Sequence, residues 1–218
     1  MVISVHTPRT AGHTIGYILK HSCRQRIWLY YPPLADGVRF APDPADRDVI
    51  ARHADFVRGT FDYVHGHFTH AFLADLFPDA AYVASLRHPV DRILSHHAAY
   101  VAATGDVRTP LLEFAARGDV ANMQSAFLAG RDVEAYDHLF LIERLAESMQ
   151  VFAAKNSGFR RLDEFCMSGI PRFSALPEDR AVKADDDTRR HLQKLAADDM
   201  ALYRRAEQRC RAEESQYL

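Results

Sequence analysis

Val2-Ile3-Ser4-Val5-His6-Thr7-Pro8-Arg9-Thr10-Ala11-Gly12-His13-Thr14 is the stretch on which the fold turns. Residues 2–5 are a short, nearly continuous apolar run, as expected of a strand buried on both faces. Residues 6–12 form a polar turn containing Pro8 and Gly12. From residue 13 to 21, Ile15, Ile18 and Leu19 fall on one helical face. Small residues let the turn's backbone curl, so that successive N–H groups point at one anion. The helix N-terminus adds the positive end of its dipole. Thr10 and Thr14 supply hydroxyls and Arg9 a fixed charge. No GxxxxGK[ST] is present, which disfavours a classical ATP or GTP site. The same residues also read as an ordinary strand-to-helix turn with a capping Thr.

Outward from this unit, strands and helices keep alternating. Strands are expected at 27–31, 62–65, 81–86 and 138–142. Helices are expected at 69–76, 90–103, 109–116, 119–128 and 144–154, and one long charged amphipathic helix at 187–211. In the last of these, Leu192, Leu195, Ala196, Met200, Leu202 and Tyr203 lie on the buried side, and residues 207–214 read as a solvated end. Residues 32–48 and 169–187, rich in Pro and charge, read as loops. Alternation of this kind predicts an α/β fold with a central parallel sheet flanked by helices. No repeat or linker divides residues 1–218, so a single domain is expected. Ligands of such sheets bind at the carboxyl ends of the strands. Three candidates stand there: the first loop, the histidines after the third strand, and Arg87 after the fourth.

Composition limits the partners. The chain has 218 residues, 48% hydrophobic and 26% charged, which excludes a disordered or collagen-like chain. A net charge of −2 argues against a general nucleic-acid binder. No apolar run approaches the roughly 18 residues of a membrane span. The opening residues carry no signal-peptide pattern, so a cytoplasmic location is expected. Cys23, Cys166 and Cys210 are scattered, which fits a reduced compartment. All but four of the 27 Lys and Arg residues are arginine, a side chain suited to phosphate and carboxylate; biased codon usage gives the same skew.

The second decisive segment is Arg87-His88-Pro89-Val90-Asp91-Arg92-Ile93-Leu94-Ser95. Arg87 ends a buried strand, where an arginine needs an anion. Ser95 lies near the second turn of the next helix, so the two can converge on one phosphate. Arg92 stands one turn before Ser95, able to assist or to pair with an acidic residue.

Together, His6-Thr7-Pro8-Arg9-Thr10-Ala11-Gly12-His13-Thr14 and Arg87 to Ser95 resemble the paired donor-binding motifs of the sulfotransferases that use 3′-phosphoadenylyl sulfate (PAPS). The resemblance is to the carbohydrate branch, with the heparan and uronyl 2-O-sulfotransferases. His65-Gly66-His67 matches that branch's His-Gly-His step, and Gly66-His67-Phe68 the wider Gly-His-aromatic step. Asn122, Gln124, Leu128 and Gly130 are similar to its Asn-x-Gln-x-x-x-Leu-x-Gly segment. Ile142-Glu143-Arg144 resembles a Thr-Glu-Arg step, and Asp199, Leu202 and Tyr203 the terminal Asp-x-x-Leu-Tyr. The likeness runs from about residue 2 to 204. Arg9 stands where the family has lysine, Ala11 where it has glycine, His13 for threonine and His88 for aspartate. Arg9 keeps the charge with a planar fork, and Ala11 adds a methyl at a position that could require positive φ.

The resemblance implies a P-loop-NTPase-like sulfotransferase fold and transfer of a sulfuryl group from PAPS, with 3′,5′-ADP as the product and no metal. Pro8, Arg9, Thr10, Ala11, Gly12, His13 and Thr14 would cradle the phosphosulfate, and Arg87 and Ser95 would hold the 3′-phosphate. Asn122 and Gln124 would lie near the acceptor, a sugar or another small hydroxyl compound. The small size points to a bacterial enzyme. Imidazole titrates near working pH, so His67 is the expected base, with His65 as helper and Glu143 in reserve. His-x-His is also a zinc spacing, but no clear third ligand follows. Two other functions fit the same loop: a nucleotide-dependent phosphotransferase, and a catalytically degenerate binding protein.

Overall fold

The computed structural model describes residues 1–22, 26–31, 43–118, 120–156 and 183–218. Five strands, β1 (Val2–His6), β2 (Ile27–Tyr30), β3 (Tyr63–Gly66), β4 (Ala81–Leu86) and β5 (His138–Leu141), form one sheet in the order β2-β3-β1-β4-β5. All four pairings are parallel, with His6 opposite Ser85 and Ser4 opposite His65. The central parallel sheet expected from the sequence is therefore observed.

Side-chain alternation sends the two faces of each strand to different helices. Ile3, Val5, Val64, Ala84 and Leu139 pack with Ile50 of α2 (Pro44–Arg52), Val57 of α3 (Ala54–Thr60), Leu73 of α4 (His70–Leu73) and Phe127 of α7 (Met123–Leu128). Tyr203 and Ala206 of α10 (Ala197–Tyr217) join the same cluster. On the other face, Tyr63, Val83 and Phe140 pack on Ile15, Ile18 and Leu19 of α1 (Gly12–Ser22) and on Met149 and Phe152 of α8 (Leu145–Lys155). A third cluster joins α5 (Pro89–Thr104), α6 (Leu111–Ala115) and α9 (Asp186–Leu195) through Val90, Ile93, Ala115 and Leu192.

Three expectations need correction. The expected loop 32–48 contains the start of α2: Asp43 caps it by accepting from the Ala45 amide at 2.8 Å, and Pro44 takes the first turn. Residues 32–42 lie outside the described residues, as do 169–182 of the second expected loop. The helix expected at 187–211 is two helices that break at Ala196 (φ −95°, ψ 36°). Its end is not simply solvated, because Glu213 and Glu214 pair with Lys155 (3.2 Å) and Arg144 (2.6 Å), bracing α10 against the β5–α8 segment.

Candidate active site

The β1–α1 loop is a strained turn pinned from inside. Arg9 (φ 70°) and Ala11 (φ 54°) both occupy the left-handed region, at a cost of roughly 1–2 kcal/mol each. Between them, the buried Thr10 hydroxyl donates to the Thr7 carbonyl at 2.6 Å. With its proton used there, Thr10 Oγ1 accepts from Ser85 Oγ (2.6 Å) and from His6 Nδ1–H (3.0 Å). His6 Nδ1 also lies 3.1 Å from Ser85 Oγ. This triangle of strand-end residues holds the turn in its positive-φ conformation. It also turns Thr10 inward, so Thr10 cannot offer its hydroxyl to a ligand as expected without breaking the triangle. Gly12 is required here: a Cβ would sit 1.8 Å from His6 Nε2. Pro8 and Thr14 are buried and His13 is exposed. The first helical bond of α1 runs from the Ile15 amide to the Ala11 carbonyl (3.0 Å). The amides of Gly12, His13 and Thr14 precede it and point out of the helix end.

Three imidazoles line the same side of the β1–β3 pair, as the two-residue spacing of His65 and His67 predicts. His6 stacks on His65 (5.2 Å between ring centres) and on His67 (4.6 Å). His65 is fully buried; its Nε2–H donates to the Gly12 carbonyl (3.1 Å) and its Nδ1 accepts from Ser4 Oγ (2.8 Å). With both nitrogens engaged, His65 braces the loop and is not placed to carry a proton. In His67, Nδ1–H donates to the His6 carbonyl (2.9 Å). That bond fixes the tautomer and puts the lone pair on Nε2. Burial pushes His65 down to about 3 and His67 to about 4, and the Arg9 guanidinium adds to the effect at His67. Both rings are therefore neutral at pH 7. Tyr31 packs edge-on against His67 (4.8 Å) and stacks on His13 (5.6 Å).

Across the mouth of the loop, Arg9 Nε donates to Ser95 Oγ at 3.1 Å, and Arg87 Nη1 lies 3.4 Å from the Arg9 carbonyl. Arg9, Arg87 and Ser95 thus meet at the carboxyl ends of β1 and β4. Arg9 reaches toward α5 rather than staying over its own loop. Burial and the charge of Arg87 lower its pKa. Among the described residues, neither arginine has an ion-pair partner.

Other expected site residues have different tasks. Gln124 is fully buried; its Oε1 accepts from the Arg87 amide (2.8 Å) and its Nε2 donates to the Arg87 carbonyl (3.0 Å) and to Asp199 (3.3 Å). Asn122 accepts from the Asp198 and Asp199 amides (3.1 Å each) and donates to Leu195 O (3.1 Å). Both amides therefore tie α7 to the rest of the fold, and their bonding leaves Gln124 no face for an acceptor. Glu143 accepts from the His88 amide (2.7 Å) and from Tyr203 OH (3.0 Å), so both oxygens are used away from His67. Arg92 is fully buried, donating to the Val120 carbonyl, with its Nε 3.9 Å from Asp199. Sequence reasoning did not single out Ser4, Ser85 or Tyr31.

Among the described residues, no three or more His, Cys, Asp or Glu side chains are arranged to hold a metal ion, and no helix is long and apolar enough to cross a membrane.

Fold and site together define a parallel α/β protein in which two arginines meet at the strand ends beside neutral histidines. No family model and no curated protein matches the chain. Among solved structures, the crystal structure of a sulfotransferase from Alicyclobacillus acidocaldarius is similar at 18% identity, covering 92% of each chain, with a TM-score of 0.47.

Proposed function

We propose that this chain is a sulfotransferase that moves a sulfuryl group from PAPS to a hydroxyl of a sugar or another small acceptor. The observation that carries the reading is the meeting of Arg9, Arg87 and Ser95 beside the open amides of α1. Two guanidinium groups with no ion-pair partner among the described residues are an environment for anions. The two sequence motifs that resemble the donor-binding pair of the PAPS enzymes are the segments that meet there. The residues fit a donor with two separated anionic groups. Arg87 and Ser95 suit its 3′-phosphate, the Gly12 to Thr14 amides suit the 5′-phosphosulfate, and Arg9 spans the two.

PAPS, when bound, supplies the sulfuryl group and departs as 3′,5′-ADP. The acceptor oxygen forms a bond to sulfur as the bond from sulfur to the 5′-phosphate oxygen breaks. The acceptor proton passes to His67 Nε2, and the α1 amides and Arg9 stabilise charge developing on the leaving phosphate. His67 is neutral at pH 7, the protonation state a base needs. An anionic donor nearby favours the protonated ring and so strengthens the base as the complex assembles. His65 and His6 fix the ring stack.

Transfer is tested by incubating the protein with PAPS and a panel of sugars and glycosides and following 3′,5′-ADP release. Acceptor-dependent release is expected, and His67→Ala is expected to lower it by about 10²–10⁴-fold while 3′,5′-ADP still binds. Magnesium-dependent phosphate transfer from ATP instead would overturn the reading in favour of a phosphotransferase.

A further inference from the structure

The mouth of the site is built on a buried support that starts in the C-terminal helix. Asp199 lies in the first turn of α10 and is fully buried. One carboxylate oxygen accepts from the Ser125 amide and hydroxyl (2.7 Å each). The other accepts from the Gln124 amide (3.1 Å) and the Gln124 side chain (3.3 Å). Gln124 in turn brackets Arg87, accepting from its amide and donating to its carbonyl. One turn further along the same helix, Tyr203 OH donates to Glu143, whose other oxygen accepts from the amide of His88. The helix thus ties down two consecutive residues, Arg87 and His88, through two separate intermediaries.

The need for such ties follows from position. Arg87 is where β4 has ended and α5 has not begun, so neither the sheet ladder nor the helix fixes its backbone. A rotation of this one peptide would swing the guanidinium out of the mouth. Asp199 can hold it only while its carboxylate stays buried among donors. Burial raises its pKa, while Arg92 and the Ser125 and Gln124 donors favour the charged form.

We infer that Asp199 and Tyr203 are positioning residues for the anion site, Asp199 acting through Gln124 on Arg87 and Tyr203 acting through Glu143 on His88. The inference rests on the proposal that Arg87 holds the 3′-phosphate of the donor product. It makes the C-terminal helix part of the binding apparatus, although neither residue reaches the mouth.

The test is the preference for 3′,5′-ADP over 5′-AMP, two ligands that differ only in the 3′-phosphate. Calorimetric Kd values are measured for the unaltered protein, Arg87→Ala, Asp199→Asn, Gln124→Met and Tyr203→Phe, with thermal unfolding in parallel. Asp199→Asn keeps the shape but turns one acceptor into a donor facing donors. Gln124→Met keeps the length and removes both ties to Arg87. Tyr203→Phe removes a single hydroxyl and is the variant least at risk in folding. The preference is expected to vanish in Arg87→Ala, to fall at least tenfold in Asp199→Asn and Gln124→Met, and to fall about two- to fivefold in Tyr203→Phe. A purely structural role would lower the Tm and leave the preference intact. A preference abolished by Arg87→Ala but intact in the other three would overturn this inference alone. Equal binding of the two nucleotides by the unaltered protein would overturn the 3′-phosphate assignment on which it stands.

Discussion

Gly12→Ala is the substitution for which the structure sets the sharpest magnitude. A methyl group at Gly12 would stand 1.8 Å from His6 Nε2, 2.1 Å from Cδ2 and 2.3 Å from Cε1. An exposed imidazole would rotate away at little cost. This one is held at Nδ1 by Thr10 and Ser85 and sandwiched between His65 and His67. Displacing it breaks the bonds that hold the loop at Arg9 and Ala11 in positive φ. Two lost buried hydrogen bonds at about 1 kcal/mol each, plus overpacking of about 1–3 kcal/mol, give an expected loss of about 3 kcal/mol or more. In a chain of this length, 3 kcal/mol corresponds to a fall in Tm of roughly 6–12 °C. Urea unfolding at pH 7.5 measures it, and His6→Ala completes a double-mutant cycle. If the clash is with His6, Gly12→Ala costs little in the His6→Ala background, and the coupling energy matches the single-mutant loss. Strict additivity, or a Gly12→Ala protein as stable as the parent, would refute the steric account.

Other outcomes follow from the same geometry. Burial holds His65, His96 and His138 each at about 3, below the unfolded value near 6.5, so the unfolded chain binds the extra protons. Stability from these groups is complete above about pH 6.5 and is lost as pH falls toward 3. The three together give a loss of about 3–4 kcal/mol between pH 6 and pH 5, read by denaturant titration. Replacing His138 by Phe should reduce the loss over that interval by about 1 kcal/mol, and an unchanged slope would contradict it. Gly66→Ala places a Cβ 1.8 Å from the Tyr30 carbonyl, which is backbone in the partner strand, so β2 must separate from β3. The expected signature is faster amide exchange in residues 27–30, and unchanged exchange there would be the contrary result. Arg92→Met removes the buried cation beside Asp199 and leaves an unpaired buried carboxylate, at an expected cost of about 3–5 kcal/mol. Adding Asp199→Leu should not recover that stability, because it strands the Ser125 and Gln124 donors as well, and a double variant as stable as the parent in denaturant titration would contradict this.

Much of this was legible in the residues, and what was not has identifiable causes. β1, β4 and α5 are read almost to the residue because buried parallel strands are continuous apolar runs and Pro89 marks a helix start. α2 was missed for the opposite reason. Its Asp43-Pro44 opening is a capping signal, but it stands in a stretch whose Pro and Asp content reads as loop. The break at Ala196 carries no Gly or Pro, so periodicity ran through it. That Arg87 and the Arg9 loop lie side by side was legible because each follows a strand, and β1 and β4 pair in parallel. The tasks of Gln124 and Asn122 were not legible because a polar amide looks the same whether it faces a substrate, a carboxylate 75 residues away as Gln124 does, or the backbone of α10 as Asn122 does. His6 and Ser85 became visible only when the register set them opposite each other.

The central claim is that the mouth formed by Arg9, Arg87 and Ser95 recognises a nucleotide through its 3′-phosphate. Calorimetric titration with 3′,5′-ADP, 5′-ADP and ATP, each with and without magnesium, tests it most directly. Tight, metal-independent binding of 3′,5′-ADP alone is the predicted result. A preference for ATP with magnesium, or no binding of any of the three, would contradict it.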